Sequence, residues 1–497
     1  MRAPVKVPDF SAYPEAEIRN VVYCNSIPKV LYFGKKEGIY MTAENQRLFS
    51  NKQLIRLIIP LVIEQGLTVL VGMCDGVMVS SVGEAAISGV SLVDMINNIV
   101  LVLFAALATG GAVVTSQYLG ARDMEKARRS VGQLVIMATV FGVAAMAACL
   151  IWGKHMMRLF FGGIEDDVMA EGLLYFRITA LSFPFIALYN AGAAMFRSIG
   201  NSKMSMKVSL LMNVITVTGN ALCIYGLKMG VEGVAIPTLF SRAVAGVLML
   251  VLAARPNQEL RLRTQDLRHI QGAMMKNILH IGIPSAFENS LFQLGRAVVV
   301  SMIALFGTSQ TSANAVANNL DGVGVLVGQA MGLAMITVVG QCVGAGDLKQ
   351  ATYYIKKLLL WDYILQGASN VAILVFLPQL VGLYSSLSPE TEELAILLAA
   401  VHAWASIFMW PTAFVLPNAL RAANDVQFTM RVSILSMLCW RVGFSWLLCV
   451  QLEWGAIGVW IAMIIDWVCR IIFFAGRVIS GKWKTKYVPD QAQETAT

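Results

Sequence analysis

The sequence predicts an all-α integral membrane protein of about twelve transmembrane helices, built as two six-helix lobes of one orientation. Three observations carry this. Of the 497 residues, 57% are hydrophobic and only 14% charged, with a mean hydropathy of +0.66, whereas soluble domains carry about 25% charged residues. Apolar runs of about 20 residues recur along the chain, too long for strands and long enough to cross a bilayer as helices. The chain also repeats itself. Ile59-Pro60-Leu61-Val62-Ile63-Glu64-Gln65 returns as Ile283-Pro284-Ser285-Ala286-Phe287-Glu288-Asn289, and both the proline (284 − 60) and the glutamate (288 − 64) move by 224.

Residues 1–50 are polar and irregular and lack the apolar centre of a signal peptide. They read as a cytoplasmic extension, or as a mis-called start ahead of Met41. Apolar periodicity then predicts helices near 54–81, 87–114, 130–153, 170–196, 204–226 and 232–254, a first lobe spanning 51–254. A polar linker at 255–276 leads to helices near 277–305, 314–339, 354–380, 393–420, 430–452 and 456–479, a second lobe spanning 277–481. Residues 482–497 form a tail. Six spans per lobe is an even number, so the repeat is parallel rather than inverted.

Loop charge sets the expected orientation. Arg122, Lys126, Arg128 and Arg129 follow the second helix, Arg255, Arg261, Arg263, Arg268 and Lys276 fill the linker, and Arg477, Lys482, Lys484 and Lys486 close the chain. Glu165, Asp166, Asp167, Glu390, Glu392 and Glu393 lie in loops on the other side. Basic loops stay in the cytoplasm, so both termini are expected there, in a multi-pass protein of the cell's inner (plasma) membrane. The net charge of +8 is therefore a topology signal, and no nucleic-acid partner is expected. The eight scattered cysteines show no metal-ligand spacing and read as small apolar filler, without disulfides or a metal cage.

The repeat reaches well past the opening motif. Gln117-Tyr118-Leu119-Gly120-Ala121-Arg122-Asp123 matches Gln341-Cys342-Val343-Gly344-Ala345-Gly346-Asp347 at 341 − 117 = 224. Lys207-Val208-Ser209 matches Arg431-Val432-Ser433 at the same shift, and Gly230 and Gly233 answer to Gly455 and Gly458 one residue later. These turns, the Pro60-to-Asp75 spacing of the first helix, and Phe196-Arg197-Ser198-Ile199-Gly200-Asn201 together resemble the multidrug and toxic compound extrusion (MATE) family, from about Asn51 to Lys482. The resemblance implies two lobes around a central cavity that opens alternately to either side. It also implies exchange of an inward Na⁺ or H⁺ gradient for outward movement of organic cations and other amphipathic compounds.

An acid inside a span costs about 2.5–3.5 kcal/mol on insertion scales, so each one invites a functional reading. Asp75 matches the family's first-helix coupling acid; the alternative is an exposed acid near the membrane edge. Glu64 lies 11 residues earlier, about 1100° of helix or three turns, which predicts a stripe of Glu64, Thr68, Gly72 and Asp75. Glu64 reads either as a coupling acid or as a structural acid near the lobe interface. Glu288 matches the seventh-helix coupling acid and is the one place where a transient Na⁺ is expected. Arg296 needs an acid partner, Asp321 or Glu288, and if it is Glu288 that acid is held ionised. In the fifth helix the family's Asn-x-x-x-Asp positions hold Thr216 and Asn220, and Asn220 cannot titrate. In the tenth helix His402 and Trp404 replace an acid, and His402 either packs or titrates. Asp94, Asn97 and Asn98 on the second helix, with Asn318, Asn319 and Asp321 on the eighth, line the cavity or bond within a lobe. Asp466 and Arg470, one turn apart, read as a helix-surface pair.

The chain offers no nucleophile–base set, no metal cluster and no filter loop, so it reads as neither an enzyme nor a channel. Its expected role is secondary antiport by a monomer in the lipid bilayer, with no cofactor beyond Na⁺ or H⁺. A lipid-linked or polysaccharide flippase is the alternative.

Overall fold

The structure, a computed structural model, describes residues 47–162, 165–384 and 387–486. Residues 1–48 form one unit and Phe49–Thr497 another. Of the first only Arg47 and Leu48 are described, so the expected N-terminal extension and the end of the tail lie outside the described residues.

Among the described residues twelve helical spans follow one another. They are α1 (Asn51–Ser80), α2 (Glu84–Gly120), α3 (Met124–Phe161), α4 (Asp166–Ala180 and Phe183–Ser198), α5 (Ser202–Gly226) and α6 (Glu232–Ala254). Then come α7 (Gly272–Ala304), α8 (Thr308–Gly324 and Leu326–Gly344), α9 (Leu348–Val375), α10 (Pro389–Ala422), α11 (Val426–Gln451) and α12 (Gly455–Ile479). Ten described helices are long and apolar enough to cross a membrane, and the two halves of α4, bent by 47°, make an eleventh. The remaining one, α7, is 33 residues long but carries Lys276, Glu288 and Arg296. The bend in α4 precedes Pro184 at the start of its second half, where proline cannot continue the hydrogen-bond ladder of the first.

Helix boundaries of the two halves of the chain recur in register. Glu84, Gly120, Met124, Ser198 and Ser202 bound helices in the first lobe; 224 residues on, Thr308, Gly344, Leu348, Ala422 and Val426 bound them in the second. Several spans are longer than their apolar stretches suggest, because polar residues carry them on into well-capped ends. The Gln-x-x-Gly-Ala-x-Asp turns show how. Asp123 accepts a hydrogen bond from Lys126 N at 2.9 Å and starts α3, and Asp347 does the same for Gln350 N at 2.9 Å and α9. The residue before each aspartate, Arg122 or Gly346, takes the left-handed turn (φ +60° and +73°).

The lobes interlock at the end that carries the basic loops. The start of α1 (Leu54, Leu57, Ile58, Leu61) is buried among α8, α9 and α10, while Ile278 and Ile281 of α7 are buried in the core of the first lobe. Between them α2 crosses α8 backbone to backbone. A β-carbon on Gly120 would stand 2.0 Å from Gln341 O, and one on Gly344 would stand 1.9 Å from Gln117 O, so only glycine permits the crossing. The motif glutamines then bond across it. Gln117 Nε2 donates to Ala422 O at 2.9 Å and to Asn424 Oδ1 at 3.0 Å, and Gln341 Nε2 donates to Ser198 O at 2.7 Å. Tyr354 of α9 also holds the backbone of Phe49, donating to its carbonyl at 2.7 Å and accepting from its N–H at 2.8 Å.

The linker is folded rather than loose. A short helix, Thr264–Arg268, docks on α3 through Arg128 and Asp266 at 3.0 Å, and Gln133 holds His269 O at 2.8 Å and Gln271 N at 3.0 Å.

Candidate functional site

In the first lobe Asp75 is half-buried near the far end of α1, and Asn220 of α5, fully buried, donates to its Oδ1 at 2.8 Å. The two family-matched positions are therefore brought together, with an amide in place of a second acid. Thr216, one turn before Asn220, bonds Ser241 of α6 at 2.8 Å and so ties α5 to α6. Asp94 accepts from Tyr175 at 3.2 Å. Arg242 of α6 lies within electrostatic reach of Asp75 and Asp94 and donates to Ser182 at the bend of α4, at 2.9 Å. Neither Arg242 nor Tyr175 was expected. An arginine inside an apolar span was the visible signal for the former.

The predicted stripe runs along one face of the continuous α1, and its burial changes from residue to residue. Thr68 and Gly72 are exposed, and Thr68 turns its hydroxyl back to Glu64 O at 3.1 Å. Glu64 is buried inside the lobe. It accepts from Tyr189 at 3.1 Å and Ser205 at 2.8 Å, and Arg197 stands 3.6 Å away.

Glu288 has an arginine too, but not the expected one. Arg421, at the end of α10, lies 2.7 Å from Glu288 Oε1, and Ser433 donates to the same oxygen at 2.6 Å. Oε2 is buried without a hydrogen-bond partner among the described residues. Arg296 points elsewhere, donating to Asn318 at 3.4 Å, while Asp321 makes its close contact with His402, at 2.9 Å. Arg296 thus forms neither of the predicted ion pairs. Arg296 lies two turns beyond Glu288 on α7, whereas Arg421 reaches the acid from the neighbouring helix. The sequence held that signal: 421 − 197 = 224, so the twin glutamates have twin arginines.

His402 is 2% exposed and stands edge-on to Trp460 and Trp467 while it meets Asp321, so it packs against aromatic rings as the first reading expects and also contacts an acid. Asp466 and Arg470 are 0% and 3% exposed, and the surface reading of that pair is wrong. Arg470 Nε bridges both Asp466 oxygens at 3.1 Å, and its Nη1 donates to Ser433 at 3.1 Å, which in turn donates to Glu288. Partners on α7 and α11, invisible in the local i, i+4 spacing, draw the pair into the lobe. One more buried acid, Asp362 of α9, was not anticipated.

The arrangement supplies carboxylates at membrane depth in both lobes, one held by an amide (Asp75) and others by arginine or histidine. Among the described residues no group of three or more His, Cys, Asp or Glu side chains could hold a metal ion.

Comparison with known proteins agrees with this architecture. The MatE family model matches the chain twice, over residues 60–222 and 284–447, again beginning at the twin prolines. The uncharacterized transporter YisQ of Bacillus subtilis is 29% identical over 436 residues, covering 85% of this chain and 92% of its own. A probable multidrug resistance protein NorM of Thermotoga maritima is 24% identical over 449 residues, covering 88% and 94%. Among solved structures, an outward-facing multidrug resistance MATE family transporter of the MOP superfamily superposes with a TM-score of 0.81 at 21% identity, over 87% of this chain and 96% of that one. A MATE structure in the bent conformation gives 0.79 with the same coverage and identity. The chain belongs to the MATE family and is a multi-pass membrane transporter.

Proposed function

We propose that this transporter is a cation-coupled antiporter of the inner membrane, both termini cytoplasmic, exporting organic cations or other amphipathic compounds in exchange for Na⁺ or H⁺. The observation that carries the reading is Asp75: a half-buried acid at membrane depth whose hydrogen bond comes from the neutral Asn220 rather than from a cation. Such an acid can take up a proton, a sodium ion or a cationic substrate, one at a time, and competition for one charge couples the two flows. Glu288 is the second coupling acid. Arg421 holds one of its oxygens, so a cation enters there by exchange with that guanidinium. The relatives named for multidrug resistance support a drug-like substrate class.

The test is ethidium uptake into inverted vesicles under an imposed Na⁺ or H⁺ gradient, with Asp75→Asn and Glu288→Gln beside the wild type. Each substitution is expected to uncouple uptake from the gradient; full gradient-driven uptake in both would refute the assignment. A flippase of lipid-linked sugars is the second reading, favoured by Arg296 and Arg441 lining a small cavity with Asn314, Asn318 and Trp460. It predicts no ethidium movement at all.

A further inference from the structure

The ninth helix carries a polar row that the coupling scheme does not use. Asp362, Gln366 and Asn370 follow one another at i, i+4 and i+8, so they share one face, and they are 0%, 0% and 1% exposed. That face lies against a matching row of glycines on α8. A β-carbon on Gly324 would meet Asn370 Oδ1 at 2.7 Å, and one on Gly328 would meet Gln366 Oε1 at 2.2 Å. The helices are antiparallel there, and the register (370 + 324 = 366 + 328 = 362 + 332) sets Asp362 level with Gly332. Gly332 is itself crowded by Asn418 Nδ2, 2.7 Å from where its β-carbon would be, and Asn418 accepts from Arg421 at 2.7 Å. A polar seam therefore runs from Asp362 towards the Arg421–Glu288 pair.

Within this seam the acid is unanswered. Both Asp362 oxygens, both polar atoms of the Gln366 amide and Asn370 Oδ1 lack hydrogen-bond partners among the described residues. On the helices packed against α9, Asp321 is engaged with His402 and Arg421 with Glu288, while Glu390, Glu392 and Glu393 lie at the start of α10 and supply no positive charge. An ionised carboxylate buried without a counter-charge is among the costliest groups a membrane protein can hold. It must be neutralised from outside the set of side chains around it.

We propose that Asp362 and Gln366 form a further site for a monovalent cation, H⁺ or Na⁺, inside the second lobe. As a proton site, one Asp362 oxygen gains H⁺ from water and can donate to the Gln366 carbonyl oxygen one turn on. As a sodium site, the same carboxylate and amide oxygens coordinate the ion. The proposal rests on the antiport reading only for its place in the transport cycle; occupancy can be measured without transport.

The full chain in proteoliposomes is followed by infrared difference spectroscopy, first on raising the pH in K⁺ buffer, then on adding Na⁺ at fixed pH. Wild type is expected to lose a protonated-carboxyl C=O band in one or both arms. One component of the change should vanish in Asp362→Asn and persist in Asp75→Asn and Glu288→Gln, and the arm in which that component responds identifies the cation. Gln366→Ala keeps the acid and should shift the midpoint of the same band, which covers the case of an Asp362 variant that fails to fold. No carboxyl change in wild type, or the same change in Asp362→Asn, overturns the proposal. In the vesicle assay Asp362→Asn should lose gradient-driven ethidium uptake, and unchanged coupling would overturn its part in transport. If wild type moves no ethidium, the antiport reading fails, while the infrared result still decides the site.

Discussion

Replacing both motif glutamines with alanine should open the basic end of the transporter. The double variant Gln117→Ala, Gln341→Ala removes three cross-lobe hydrogen bonds, of 2.9, 3.0 and 2.7 Å. Each is worth about 0.5–1.5 kcal/mol net, so their loss destabilises the closed crossing by roughly 1.5–4.5 kcal/mol. At about 1.4 kcal/mol per tenfold, that is a shift of roughly 10- to 1,000-fold towards states open at this end. Nothing comparable is removed elsewhere, because each glutamine spends its amide protons on the other lobe. Spin labels on cysteines placed at Ala121 and Ala345, both exposed just beyond the crossing glycines, report the separation by pulsed electron paramagnetic resonance. The background should have its eight native cysteines replaced by alanine. Wild type is expected to show mainly a short distance, and the double variant a longer second population. A distance distribution unchanged by the double substitution would refute the argument that these bonds hold the lobes together. Gly344→Ala offers a steric version of the same test, since its β-carbon would stand 1.9 Å from Gln117 O.

Other outcomes follow from the buried ion pairs and the linker. Arg421→Ala leaves Glu288 charged, buried and unpaired, which should cost about 3–5 kcal/mol; a clear drop in thermal unfolding temperature is expected, partly restored by adding Glu288→Gln, and an unchanged temperature would contradict the pairing. Asp466→Ala should be as damaging, because it strands Arg470 at 3% exposure, whereas an apolar pair such as Asp466→Leu with Arg470→Met should come close to wild type in stability. Asp266→Ala releases the linker from Arg128, so proteolysis between residues 255 and 271 should speed up while transport in vesicles is retained.

Much of this architecture is legible in the sequence because the chain states it twice. The shift of 224 relates five helix ends of one lobe to their counterparts in the other, and the Gln-x-x-Gly-Ala-x-Asp turns are seen to combine a cross-lobe bond, a close crossing and a helix cap. What the sequence hid was partnership between helices. Glu288 could be recognised as an intramembrane acid, but choosing Arg421 over Arg296 required knowing which helix faces α7. Asp466 and Arg470 show the same limit, since i, i+4 spacing is equally compatible with a surface pair and with a buried one whose other partners are Ser433 and Ser436. Asp362 is a different kind of miss. Its row with Gln366 and Asn370 is visible in the largely apolar stretch after Lys357, yet the repeat does not point to it, because Ala138 stands at its place in the first lobe.

That asymmetry bears on how such a transporter can work. The features held in common by both lobes include those that join them, Gln117 and Gln341 with Gly120 and Gly344, and an ion pair inside each lobe, Arg197 beside Glu64 and Arg421 beside Glu288. A crossing built from matched halves can close and reopen without favouring either lobe. The unpaired acids do not repeat. Asp75 and its partner Asn220 answer to Val299 and Phe444, and Asp362 answers to Ala138. A lobe-specific carboxylate gives a cation a different affinity in each half, and a ligand shifts a conformational equilibrium only by such a difference in affinity. On the proposed antiport reading, the duplicated backbone supplies the crossing, and the acids that escaped duplication supply the means of choosing between its closed and open states. If so, moving Asp75 to the matching position, as Asp75→Val with Val299→Asp, should preserve the fold and the closed crossing yet fail to restore gradient-driven efflux. Recovery of coupling in that swapped chain would show that depth in the membrane, and not the lobe, is what the acid needs.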